Sequence, residues 1–519
     1  MRVLLVSPAY PPTFWSLEHT LPFVKRRWLL PPLGLLTVAA LLPAHWQLRL
    51  VDLAIGDRLD DEELLRCDVV MLSGMLVQRD SLHALLARCR RLGVRTVVGG
   101  PYATAMPDRF GDADHVVVGE AEELVPEIAA DLEAGRARRV YRELRKPDIR
   151  RTPIPRFDLA NVAAYHYMPV QFSRGCPFLC EFCDIIVMYG RRPRTKTPAQ
   201  LLAELDALLA TGFRGRIMFV DDNFIANPND VRLLLPDLAA WRRRTGALFD
   251  FFTEASINLA DDPQLVRLMT DAGFAVVFVG IESPSQDSLR ETRKVQNLRR
   301  DLVEQVRSLR RAGLDIWGGF ILGFDHDDPA IFERMIDFVT RSGIAYATVG
   351  VLTALPNTPL YQRLAREGRL RPDGETGDMF ALTNVITKLP LDVLLEGYSR
   401  VLEALFSPDA YFERCREHLR HWRAAATLER ATTIEDLRVV ARSLWRQGIR
   451  GSYRRAYWRF LTWVVRHDRR KLALAFAQAC AGHHFITYTH ETVLPDMRSH
   501  LERARADDAP RELAFASVS

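Results

Sequence analysis

Three of the seven cysteines fall within eight residues, in the stretch Ser173-Arg-Gly-Cys176-Pro-Phe-Leu-Cys180-Glu-Phe-Cys183. The other four, Cys67, Cys89, Cys415 and Cys480, are scattered. An odd count with one tight cluster is not a disulfide framework, and close thiols in a reducing compartment usually bind metal. Three thiolates at C-x3-C-x2-C spacing can hold three irons of a 4Fe–4S cluster and leave the fourth open to a ligand. A tetrahedral zinc needs a fourth protein donor, and no Cys or His follows closely. Three core cysteines or a structural zinc are the plainer alternatives. The flanking Arg174–Gly175 and a position in a loop favour the cluster.

That loop follows the first of six apolar segments, at 168–173, 216–220, 249–253, 275–281, 316–322 and 345–352, separated by helical stretches with charged outer faces. Six strand–helix units predict a partial (β/α)6 TIM-type barrel over 166–370, with chemistry at the carboxyl ends of its strands. Ahead of it, residues 1–135 also alternate short apolar strands with helices. Strands apolar throughout predict an α/β, doubly wound parallel sheet of Rossmann-like type. Its strand ends carry Ser7–Pro8, Ser73–Gly74–Met75, Gly99–Gly100–Pro101 and Gly119–Glu120, small residues that let a large ligand approach the backbone. Residues 136–165, charged and holding Pro147, Pro153 and Pro155, read as a linker. Residues 371–519 read as a mostly helical C-terminal domain ending in a disordered tail at 505–519. The composition is ordinarily globular. The balance of 70 basic against 65 acidic residues, net +5, does not suggest a nucleic-acid partner. No apolar run is long enough to span a membrane, and the start reads as a buried strand, which predicts a cytoplasmic protein.

The cysteine motif, with Phe182 before its third thiol, resembles that of the radical S-adenosylmethionine (SAM) enzymes, and the resemblance covers residues 165–360. It implies that SAM occupies the open iron and is cleaved reductively, with a donor such as flavodoxin or ferredoxin supplying the electron. It further implies SAM contacts from Phe182, from Asp221, Asp222 and Asn223 after the second barrel strand, and from Glu254 after the third. Glu282 and Ser283 after the fourth, and Gly319 and Gly323 on the fifth, complete the set. Each acid taken alone is equally well a solvated loop carboxylate. The acid expected after the fifth strand is displaced, since His326 stands between Asp325 and Asp327.

A doubly wound domain before such a barrel resembles the cobalamin-binding radical SAM subgroup. The resemblance implies cobalamin held by Ser7, Pro8, Ser73, Gly74, Met75, Gln78, Gly99, Gly100, Pro101, Gly119 and Glu120. A nucleotide-binding or purely structural domain is the alternative, but there is no GxGxxG fingerprint and no Walker motif. No His lies in an Asp-x-His-x-x-Gly motif, so no axial His is expected, and Leu76, Val77 or Gln78 are candidates to cover the lower face.

The pair of cofactors implies methyl transfer to an unactivated carbon, with SAM as both radical source and methyl donor. Further stretches, among them Thr13-Phe-Trp-Ser, Arg192-Pro-Arg-Thr-Lys-Thr197, Asp221-Asp-Asn-Phe224 and Thr253-Glu-Ala-Ser-Ile-Asn-Leu-Ala260, resemble the branch that contains the hopanoid 2-position methylase. The substrate expected is a small molecule or a lipid of the hopanoid kind. Methylation, cyclisation or rearrangement of a specialised metabolite is the alternative. A methylthiotransferase is disfavoured, because Cys67 and Cys89 make no second triad. Residues 444–471 interleave Arg with Trp and Tyr. A packed helix with a wet basic face is the plain reading, and peripheral contact with a membrane the sharper one. Cys480, His483, His484 and His490 read as structural or pocket residues ahead of a second metal. No single residue stands out as the catalytic one.

Overall fold

In the computed structural model, residues 1–246, 249–371, 382–423 and 433–503 are described. The tail expected at 505–519 lies outside the described residues. The first sheet holds β1 (Arg2–Ser7), β2 (Gln47–Asp52), β3 (Val69–Ser73), β4 (Thr96–Gly99), β5 (His115–Val118) and β6 (Val140–Arg142). They run parallel in the order β2-β1-β3-β4-β5-β6. Helices α1 (Leu33–Leu41) and α2 (Ala121–Glu133) cover one face. A second apolar layer, including Leu82, Leu86 and Tyr102, covers the other, which is why Val3–Val6 of β1 and Val116–Val118 of β5 can be apolar without a break. Strand order reverses between β1 and β3, so their carboxyl ends leave the crevice where such sheets bind ligands.

One expectation is corrected here. The segment read as a linker, 136–165, contributes β6, paired to β5 through Val116↔Val140 and Val117↔Tyr141. Tyr141 is buried between exposed neighbours, so three residues of an edge strand suffice and leave little apolar signal.

The second sheet holds β7 (Tyr167–Val170), β8 (Arg216–Phe219), β9 (Asp250–Glu254), β10 (Phe274–Glu282), β11 (Asp315–Leu322) and β12 (Ala347–Val351), parallel and in sequential order. It is the six-strand open barrel that the sequence predicts. β10 is irregular at its end: its register against β11 shifts between Gly280 and Glu282, and Glu282 has φ 66°.

The helices α3 (Leu391–Phe406), α4 (Ile434–Ser443), α5 (Arg454–His467) and α6 (Leu472–Tyr488) follow. Phe406, Phe485 and Tyr346 join one hydrophobic core with the barrel, so the boundary at 371 marks a change of secondary structure and not a new core. The basic stretch 444–471 is not one helix. A widened π turn, Leu444–Ile449, continues α4, and the chain breaks at Gly451 before α5. Among the described residues no helix is long and apolar enough to cross a membrane.

Candidate active site

The cysteine loop is closed by a two-residue antiparallel ladder, Ser173↔Thr195 and Arg174↔Arg194. Gly175 leaves this ladder at φ 93°, where a Cβ would meet Gly190 O at 2.9 Å. Only glycine fits there without strain. Asp221 anchors the stem: its carboxylate accepts from Phe172 N at 3.0 Å and from Ser173 N and Oγ. Burial nevertheless holds it up at about 6.

Burial raises the Cys176 and Cys183 thiols above the ordinary range. Iron ligation would have to offset that cost by stabilising the thiolates. Two buried amides point at these sulfurs. Asn223 Nδ2 lies 3.8 Å from Cys176 Sγ and Gln296 Nε2 lies 3.6 Å from Cys180 Sγ. Each thiol of a cluster binds its own iron, so the three need not close on one point, and among the described residues no three His, Cys, Asp or Glu side chains do. The donor set fits a cluster better than a mononuclear ion. In the helical region, two of the histidines near Cys480 hydrogen-bond within the protein. There His483 Nδ1 meets the Tyr453 hydroxyl at 2.5 Å and His484 meets Phe14 O at 3.1 Å.

A cavity of about 830 Å³ runs from the carboxyl ends of the first sheet to those of the barrel. Ser7, Ser73, Gly74, Met75, Gln78, Gly99, Gly100, Pro101, Gly119 and Glu120 line it, as do Asp222 and Phe182. Gly100 sits at φ 87°, and a Cβ there would meet Ser73 Oγ at 2.3 Å. The cavity extends between the sheet and α1 and α2 as an apolar slot of Leu35, Val38, Met71, Val97, Val117, Val125 and Ile128. Small turns opening onto a deep apolar slot fit a corrin edge with its nucleotide tail. No histidine lines the cavity among the described residues.

Other expected contacts are otherwise employed. Pro8 does not line the cavity; its carbonyl accepts from Gln78 Nε2 at 2.6 Å. Gln78 Oε1 accepts from Met75 N, so both ends of this amide are engaged in shaping the turn. Glu120 bonds across to the barrel, taking Arg174 at 2.6 Å and Arg194 at 2.7 Å, while Arg174 also holds Glu122 at 2.8 Å. This network ties the first sheet to the stem of the cysteine loop. Asn223 Oδ1 accepts from Ser256 N and Oγ. Glu282 pairs with Lys294 at 2.6 Å, and Lys294 lies 5.8 Å from the Phe182 ring. Ser283 is fully buried and its hydroxyl accepts from Ser285 N. Gly319 is small for packing, since a Cβ there would strike the Phe278 ring at 2.7 Å, whereas Gly323 is required by its backbone, at φ 102°. After the fifth barrel strand, Asp327 accepts from Gly323 N, Phe324 N and Ser288 Oγ.

Two carboxyls remain uncommitted. Asp222 lines the cavity with Oδ2 buried and unpartnered, and its carboxyl is held well above the usual range by burial and by nearby Glu254. Glu254, at the end of β9, is pushed up to about 7 by burial, then by Asp221. Nearby Lys294 offsets part of the rise at Glu254, and two half-buried acids set side by side fit the ammonium group of a bound amino acid moiety.

Sequence reasoning missed the N-terminal wall. Tyr10 stacks on Trp28 at 5.2 Å between ring centroids, and Trp15 meets Phe278 edge-on at 5.0 Å. Tyr10, Trp15 and Trp28 all line the cavity. Burial and nearby Asp52 push the Tyr10 hydroxyl up to about 12, so it stays neutral.

Comparison with known proteins matches residues 170–339 to the radical SAM superfamily, 23–129 to the B12 binding domain, and 358–495 to a domain of unknown function. The chain is 40% identical over 515 residues to an uncharacterized methyltransferase of Synechocystis, covering 98% of this chain and 96% of the relative. It is 35% identical over 503 residues to the hopanoid C-2 methylase of Rhodopseudomonas palustris, covering 94% of each. Among solved structures, the cobalamin-dependent SAM radical enzyme OxsB superposes with TM-score 0.60 at 14% identity, covering 99% of this chain and 81% of that one. The radical SAM methyltransferase TsrM of Kitasatospora setae gives TM-score 0.56 at 18% identity, over 72% of this chain and 77% of that one. At these identities the structures speak for the fold.

Proposed function

The chain belongs to the cobalamin-dependent radical SAM methyltransferases, and from that premise we propose that it methylates an unactivated carbon of a hopanoid-type lipid. When bound, the cluster with SAM supplies a carbon radical and cobalamin supplies the methyl group. The observation that carries the reading is that the carboxyl ends of both sheets open into one cavity. Methyl transfer between two cofactors requires that shared space.

Next to it, behind the lining residues Phe182 and Asp222, Cys176, Cys180 and Cys183 would hold the cluster, and Asp222 with Glu254 would receive the SAM ammonium. The glycine turns and the apolar slot would hold cobalamin. The Tyr10, Trp15 and Trp28 wall suits a rigid apolar ring system better than a charged metabolite. An electron donor of the flavodoxin or ferredoxin class is required as partner, and a lipid substrate requires peripheral contact with a membrane. Anaerobic turnover with methyl-labelled SAM and a membrane lipid extract tests the substrate class. Label in a polycyclic lipid is expected; label confined to water-soluble products would overturn the lipid assignment.

A further inference from the structure

Helix α4 and the π turn after it carry an apolar stripe that no other described residue covers. Ile434, Leu437, Trp445 and Ile449 are between 50% and 71% exposed. With Ala441 they recur at intervals of three and four residues, which places them on one face. Trp458 of α5, also exposed, adjoins the end of the stripe by donating its indole N–H to Gly448 O at 2.9 Å. Water does not favour such a stripe, and on a folded surface it marks a contact.

The surrounding charge names the partner. Residues 433–471 hold eleven basic side chains against three acids. The acids are already engaged: Glu435 with Arg438 and Arg442, Asp436 at the helix cap with Thr433, Asp468 with Arg470. Among the described residues no carboxylate pairs with Arg446, Arg450, Arg454 or Arg455. Arg450 lies 4.9 Å from the Trp445 ring, so a cation and an interfacial aromatic sit together. Exposed Trp, Ile and Leu fringed by unpaired Arg suit the headgroup region of an anionic bilayer.

The same helices reach the cavity wall. Arg442 Nη1 donates to Phe23 O at 2.5 Å, and Arg446 lies 5.5 Å from the Phe23 ring. Eight residues earlier, Trp15 lines the cavity. We propose that the face bearing Ile434, Leu437, Trp445 and Ile449 docks the enzyme on an anionic membrane surface, beside the segment that walls the substrate cavity. The inference deepens the lipid reading, which gives the docking its purpose.

The test is co-flotation of cofactor-loaded enzyme with phosphatidylcholine vesicles, with and without phosphatidylglycerol. Binding is expected only with phosphatidylglycerol, weakened by salt and roughly fivefold weaker for each charge removed in Arg446→Gln and Arg450→Gln. It should be lost in the triple variant Ile434→Ser, Leu437→Ser, Trp445→Ser, with deoxyadenosine formation unchanged. No binding by wild type, or undiminished binding by these variants, overturns the proposal. So does a wild-type dimer that the triple variant converts to monomer, which would assign the face to a second copy. If the triple variant does not fold, the two Arg variants decide. Vesicle binding without lipid methylation would defeat the lipid reading alone; methylation of detergent-dispersed lipid without vesicle binding would defeat the docking surface alone.

Discussion

Glu254→Gln should stabilise the SAM-free enzyme, and should do so more strongly as pH rises. The folded state holds Glu254 at about 7, against 4.5 for a free carboxyl. Between those values the native protein keeps a proton that the unfolded chain has released. Stability therefore falls as pH rises through that window and levels off above about pH 7. At about 1.4 kcal/mol for each pH unit of displacement, ionising Glu254 in the barrel costs at most about 3 kcal/mol at pH 8 and about 1.4 kcal/mol at pH 5.5. Asp222 is pushed up as well, with Glu254 among its causes, so the pair shares the titration. A glutamine cannot ionise and escapes this cost. Its advantage should grow by roughly 2 kcal/mol from pH 5.5 to pH 8, about 4–8 °C in Tm for a barrel-sized unit. Anaerobic thermal melts at the two pH values read this directly. SAM should reverse the order, because its ammonium group needs the carboxylate. Wild type should bind SAM more tightly as pH rises towards 8, and the variant should bind weakly at every pH. A destabilised variant, or a gain independent of pH, would refute the reasoning.

Gln296→Leu removes the buried N–H aimed at Cys180 Sγ. Donors to cluster sulfurs favour the more negative, reduced state, so the midpoint potential should fall by about 40 mV, for a net loss of about 1 kcal/mol, in an anaerobic EPR titration. Arg174→Ala strips the stem of its link to Glu120 and Glu122, leaving buried carboxylates short of a partner. A loss of about 3 kcal/mol and poorer cobalamin retention on gel filtration are expected, with faster proteolysis between the two sheets. Gly100→Val places a side chain against Ser73 at a positive φ. It should abolish cobalamin retention while leaving the iron content of the protein intact.

The cysteine triad and the sheet strands were legible because each is written locally, as spacing or as a run of apolar residues. Strand β6 was not, since one buried Tyr141 between exposed neighbours carries no period. The roles of the loop acids were hidden for a different reason. Asp221, Asp222 and Asn223 are adjacent in sequence, yet one caps a loop stem, one faces the cavity and one faces a cysteine. Which does which depends on partners about fifty residues away in the chain. Gly319 and Gly323 look like backbone-approach glycines, but Phe278 sets the size of the first and a φ of 102° the identity of the second. Gln296, Lys294 and the Tyr10–Trp28 wall carry no motif, and only the fold brings them to the site.

The central claim, that one cavity joins radical generation to methyl transfer from cobalamin, is tested most directly by product stoichiometry. Cofactor-loaded enzyme is turned over anaerobically with methyl-deuterated SAM and a polycyclic hopanoid lipid, and all products are quantified by mass spectrometry. The account predicts one deoxyadenosine and one S-adenosylhomocysteine for each deuteromethylated product, and none of that product from enzyme stripped of cobalamin. Methylation that persists without cobalamin, or that proceeds without deoxyadenosine, would contradict it.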